Sequence, residues 1–250
     1  MKIKIGVVAA IAATFSFLVA TPSAVADPPE RVYEGEGWAS LYSNYPDFYK
    51  IKSIDISEPY VFNWYDEASR DMLRPYVEDA AAQLEYITGG DFIVSTEIDT
   101  RSSYTCGNQP DHVITMFAYH RPVGSDRPGI SKAYPCYQIS DESAWGGMVT
   151  MTSEYWLIPN WFSTNPEVNE YRRRNIVSHE IAHILGLDHP NITDANGSII
   201  PSNCVNNGVG LQPVACSPGL GYQNSEDGGE FTPYDIEGLQ QLVANHDIPE

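Results

Sequence analysis

The chain has 250 residues, 33 of them acidic against 14 basic, and a net charge of −19. That length fits one globular domain with appendages or two small ones, and 42% hydrophobic with 12% aromatic residues suffices for a core. The acid excess excludes a nucleic-acid binder, which needs a basic footprint, and disfavours electrostatic attachment to an anionic membrane. Basic side chains other than His stop at Arg174, after which Asn175–Glu250 holds ten acids and no Lys or Arg. A solvated acidic surface is one reading of that half. Cation binding, or a cleft that attracts basic or neutral peptides, is the other.

Lys2 and Lys4 precede an apolar run from Ile5 to Ala20, which ends at Pro22 and the small residues Ala24 and Ala26. This is the charged start, apolar stretch and small-x-small end of a secretory signal peptide over residues 1–26. The run is short for a spanning helix, and no later stretch is apolar for long enough. The mature chain is therefore expected to be exported, extracellular and without stable membrane association. Export sets the reading of Cys106, Cys136, Cys204 and Cys216, an even set that implies disulfides in an oxidising compartment. Three connectivities are open. Cys106–Cys136 and Cys204–Cys216 are favoured, because each closes a short loop and each lies on its own side of the long helix described below. Thiolate zinc binding is the alternative, without a C-x-x-C spacing to support it.

Residues 27–57 are rich in Gly, Pro and Tyr without a clear period, and read as an N-terminal flank or short pro-segment. Residues 58–250 read as one α+β unit. Pro59–Tyr65 is aromatic and β-branched and predicts a strand. Asp66–Ile87 has helical spacing, with Leu73, Tyr76, Val77, Ala80, Leu84 and Ile87 on one stripe and Gly89-Gly90 as the stop. Asp91–Ile98, His112–Tyr119, Gly129–Tyr134 and Met148–Thr152 are further strand candidates. Asn165-Pro166-Glu167 opens a helix with a cap, a first-turn proline and an acid suited to the dipole, running to about Leu185. Asn191–Gly229 reads as loop. Thr232-Pro233-Tyr234-Asp235 opens a last helix through about Ala244.

The chemistry concentrates in His179-Glu180-Ile181-Ala182-His183-Ile184-Leu185-Gly186-Leu187-Asp188-His189. Four positions apart on a helix, His179 and His183 project from one face and can share one Zn²⁺. Glu180 is displaced around the helix, beside rather than on a metal, where a general base is needed. Gly186 lets the chain turn sharply and bring His189 back as a third ligand, leaving a position open for water. His112, His120 and His246 have no such context and read as ordinary strand or surface residues.

The spacing H-E-x-x-H-x-x-G-x-x-H at His179–His189 matches the zinc signature of the metzincin proteases. More of the chain, about Pro59–Val243, resembles their matrixin branch, the catalytic domains of matrix metalloproteinases. The resemblance rests on the helix Asp66–Thr88, the strands Asp111–Phe117 and Gly147–Thr152 with Trp156, the edge segment Gly129–Pro135, and the helix opening at Thr232. It implies a twisted mixed sheet of about five strands with three helices and a zinc cleft between an upper and a lower part. It implies a secreted zinc endopeptidase, expected to be a monomer, acting on proteins or peptides. His179, His183 and His189 would hold one Zn²⁺, and Glu180 would serve as general base. The resemblance places substrate against Ile130, Ser131, Lys132 and Ala133, and forms one wall of the cleft from the chain after Ile199, with Pro201 as a candidate contact. Calcium is also implied, with Asp194–Ser198 and Glu226–Glu230 as candidates. Three features depart from the family. No Met follows the motif, so Ile199 stands where the family has a turn methionine under the zinc. Lys132 and Thr150 replace histidines of a second zinc site. No cysteine precedes Cys106, so the matrixin cysteine switch is absent. The competing function is a non-catalytic zinc-containing protein-binding module on a protease fold.

Overall fold

The computed structural model describes residues 30–43, 49–101, 103–121, 127–196, 198 and 200–249. The signal-peptide reading of residues 1–26 lies outside the described residues. Two short antiparallel pairs come first, β1 (Glu34–Gly35) with β2 (Trp38–Ala39) and β3 (Tyr42–Ser43) with β4 (Tyr49–Lys50). The main sheet contains β5 (Ser53–Ile54), β6 (Tyr60–Trp64), β7 (Phe92–Ile98), β8 (Val113–Tyr119), β9 (Lys132–Tyr137) and β10 (Ser143–Thr152). Strand β6 pairs in parallel with β7 and β8, and β10 pairs in parallel with β8 and β5. Strand β9 runs antiparallel along the other side of β10. Four helices complete this mixed α/β fold: α1 (Glu67–Thr88), the single-turn α2 (Glu154–Leu157), α3 (Pro166–Ile184) and α4 (Pro233–His246).

A parallel sheet must be covered on both faces, and the side-chain alternation shows how. Tyr60, Phe62 and Trp64 of β6 are fully buried while Val61 and Asn63 between them are half-buried. On the same face lie Ile114, Met116, Val149 and Met151, packed in one cluster with Leu73, Val77, Ala80 and Leu84 of α1 and Val177, Ile181 and Ile184 of α3. The opposite face carries Phe117 and Met148 under Tyr65, Tyr104, Tyr119 and Trp145. The Cys106–Cys136 disulfide ties the Tyr104 loop to β9 over that aromatic layer. Helix α1 starts where expected because the Asp66 side chain accepts from Ser69 N–H at 2.7 Å. It stops at Gly89, which takes a left-handed φ of 75°.

Several expectations change in detail. Among the described residues the α-helices number four where three were expected, the extra one being the single-turn α2. The sheet has six strands where about five were expected. Strand β9 begins at Lys132 rather than Gly129, since Gly129 takes φ 71° over the Trp161 ring. Strand β10 begins five residues earlier than Met148, because Gly146 and Gly147 are places of close approach and not a break. A Cβ on Gly147 would lie 2.4 Å from the Tyr134 carbonyl oxygen. Both disulfides have the favoured pairing, Cys106–Cys136 and Cys204–Cys216. No helix among the described residues is long and apolar enough to cross a membrane.

Candidate metal centre

Helix α3 opens with Asn165 accepting from Glu167 N–H at 2.9 Å and becomes buried on every side from Asn175 to Ile184. A helix buried all round must satisfy each polar side chain it carries. Asn175 Nδ2 donates to Leu220 O and Tyr222 O, and its Oδ1 accepts from Gly229 N–H. Ser178 Oγ donates to Gly229 O at 2.6 Å. The long loop after α3 is thereby wrapped onto the helix from outside.

The two helical histidines are oriented by backbone carbonyls. His179 Nδ1 lies 2.8 Å from Val214 O, and His183 Nδ1 lies 2.6 Å from Leu187 O. A carbonyl can only accept, so each Nδ1 carries the proton and each Nε2 presents a lone pair. His189 returns through the turn at Gly186, which has φ 94°. The three Nε2 atoms then form a nearly equilateral triangle, with separations of 3.1, 3.1 and 3.2 Å. Burial lowers the pKa of all three rings, His189 to about 3 with a contribution from His183. The rings are thereby kept neutral, and the triad could hold a metal ion.

Below the triad, the chain that accepts from His179 is fixed by a buried acid. Asp235 of α4 accepts from Val214 N–H at 2.9 Å and Ala215 N–H at 3.0 Å, and from the Thr232 hydroxyl and N–H. Asp235 therefore orients His179 through Val214. The Cys204–Cys216 disulfide pins the same loop one residue further on.

Glu180 faces a cleft of about 500 Å³. The cleft is bounded on one side by Gly129–Ala133 and on the other by Ser217, Pro218 and the histidines, with Leu41, Tyr155 and Ile176 also lining it. The lip at Gly129 is held by a buried network. Gly129 N–H donates to Glu154 Oε2 at 2.7 Å, Gly129 O accepts from Tyr155 Oη at 2.6 Å, and Ser131 Oγ accepts from Thr152 N–H. Arg121 Nε donates to the other Glu154 oxygen at 3.0 Å.

The predicted residues separate cleanly. Ile130, Ser131, Lys132 and Ala133 line the cleft with the histidines and Glu180. Pro201 does not, and sits exposed in a turn beside Ile200. Ile199 lies outside the described residues. From the chain after Ile199, Ser217 and Pro218 line the cleft. Pro201, Pro213 and Pro218 of this loop all give an x-x-Pro spacing, so that spacing alone does not single out one of them. The charged side chains lining the cleft, histidines apart, are Glu180, Asp188 and Lys132. Asp79, Glu226 and Glu230 instead border a separate pocket. The Asp194 carboxylate, a calcium candidate, accepts from Asn196 and Ser198 N–H within its own turn. His112 and His246 approach Asp55, and His120 is exposed. Among the described residues, none of these three joins a metal-ligand group.

No family model and no curated protein matches this chain. Among solved structures, the GM1-bound form of the ECX AB5 holotoxin aligns with 81% of this chain and 86% of its own at 13% identity. The TM-score is 0.40, too low to carry an argument.

The Glu180 carboxyl is a measurable feature of this site. Burial pushes it from 4.5 up to about 8, against a backbone hydrogen bond from Ala133 that lowers it. The folded, metal-free chain thus keeps a proton that the unfolded chain releases. Its stabilising contribution is complete below pH 4.5 and fades as pH rises from there to about 8. Metal-free wild type should lose a few kcal/mol, on the order of the shift itself, relative to Glu180→Gln over that window. Denaturant unfolding of both proteins at several pH values checks this; parallel pH profiles would contradict it.

Proposed function

We propose that this chain is a secreted zinc endopeptidase of the metzincin type, matrixin-like. The observation that carries the reading is the convergence of three Nε2 atoms within 3.2 Å beside a buried carboxylate, in a cleft bordered by an edge strand. The donor set fits zinc. A tetrahedral ion with Zn–N of about 2.0–2.1 Å needs its nitrogens about 3.3–3.4 Å apart, a small expansion of the observed triangle. Three neutral nitrogens aiming lone pairs at one another repel unless a cation lies between them, and His179, His183 and His189 would hold it.

Zinc bound there would acidify water and polarise the scissile carbonyl. The remaining work falls to the chain. Glu180 accepts the proton of the attacking water and delivers it to the departing amine as the C–N bond breaks. The substrate backbone, in extended form, lies along Ile130–Ala133. The Glu154 and Tyr155 bonds to Gly129 keep that edge in place, and Ser217 and Pro218 close the far wall.

The test is incubation of the purified secreted protein with a peptide library, with and without phenanthroline, read by mass spectrometry. Cleavage that disappears with chelator and returns with zinc is expected. Bound zinc with no turnover on any peptide would instead support the non-catalytic binding module.

A further inference from the structure

The sequence leaves open whether residues 27–57 are removed on maturation. Three backbone contacts bear on this. Ala39 O accepts from Asp188 N–H at 2.8 Å, Leu41 N–H donates to Gly186 O at 2.5 Å, and Ser40 faces Leu187 in an antiparallel bridge. Gly186, Leu187 and Asp188 are the turn that carries the chain from α3 to His189. Leu187 is also the residue whose carbonyl orients His183.

The segment is itself anchored along its length. Trp38 is 3% exposed, with its indole against Gly238 and its Nε1 donating to Glu237 at 3.3 Å. Asn245 of α4 holds Val32 through both backbone groups, and Arg31 Nε donates to Ile248 O. Downstream, Ile51 N–H donates to Leu41 O, and the Ile51 side chain fills the space behind Gly186. A Cβ on Gly186 would sit 2.6 Å from Ile51 Cγ2. His189 is the one ligand that comes from a loop, so its position depends on what restrains that loop. Leaving three residues unrestrained would cost about 1–2 kcal/mol each when a metal ordered them.

We infer that residues 31–41 are a permanent brace that positions His189 for metal binding, and that any maturation cut falls before Arg31. The inference rests on the metal-centre reading. Outer contacts that orient ligands typically change metal affinity by about 10–100-fold, which sets the expected effect.

The experiment uses the full chain with Leu41→Pro, which deletes the N–H donated to Gly186, and Leu41→Ala, which keeps it. Zinc affinity is measured by competition with a chromophoric chelator, because the Leu41 side chain lines the cleft and turnover would mix two effects. Leu41→Pro should bind zinc about 10-fold or more weakly, with Leu41→Ala near wild type. Equal affinity in all three, with native circular dichroism, would overturn the brace alone. If wild type takes up no zinc, the metal-centre reading itself fails. Intact mass of the secreted protein is independent of whether Leu41→Pro folds. A start at or before Arg31 is expected; a start after Arg31 in a protein that still binds zinc would overturn the inference.

Discussion

Replacing Glu180 by Gln is expected to lower peptide hydrolysis by roughly 10²–10⁴-fold while zinc stays bound. The substitution keeps side-chain volume and an oxygen that can accept the backbone hydrogen bond from Ala133. It removes the group that takes up and returns the proton. The three ligating nitrogens are untouched, since their orientation comes from Val214, Leu187 and the turn before His189. Folding should not suffer, because a neutral amide relieves the cost of burying a carboxylate that is 6% exposed. The comparison is kcat/KM on one library-derived peptide, with zinc content measured on the same samples. Hydrolysis at the wild-type rate would remove Glu180 from the reaction. Loss of zinc together with activity would show that it holds the site rather than moves a proton.

His183→Ala should cost much of the metal affinity. His183 Nε2 lies 3.1 Å from Nε2 of both other histidines, and the ring is buried. Sharing about 10–16 kcal/mol of zinc binding over four ligands gives each about 2.5–4 kcal/mol. Losing one therefore weakens zinc binding by roughly 10²–10³-fold. The change also leaves Leu187 O without its donor and a cavity within the helix packing, which adds to the loss. His246→Ala is the control, because His246, at the end of α4, approaches Asp55 and is not a member of the triad. Competition with a chromophoric chelator reads both. Equal affinities for the two variants would show that the triad is not where zinc binds.

Much of the fold was legible because local signals and burial agree. Asp66 caps α1, Asn165 and Pro166 open α3, Thr232 and Pro233 open α4, and the apolar stripe of α1 is buried as its spacing predicts. The ligand triad was legible because helical periodicity and one glycine suffice to place it. What supports the triad was not. Asp235 reads in sequence as an ordinary first-turn acid, and its bonds to Val214 and Ala215 link residues 20 or more positions apart. Which residues of the chain after Ile199 line the cleft was not legible, because the loop after His189 has no periodicity and its path is set by Asn175, Asn191 and a disulfide. Residues 31–41 looked like a flank for a similar reason. Their two-residue strands are too short to show a pattern, and they are held by partners near residues 187 and 245.

The most direct test of the metal centre is anomalous diffraction at the zinc edge, on crystals of the intact protein grown with equimolar zinc. One peak is predicted, at about 2.0–2.1 Å from Nε2 of His179, His183 and His189. A strong peak bound elsewhere, with none inside that triangle, would contradict the account.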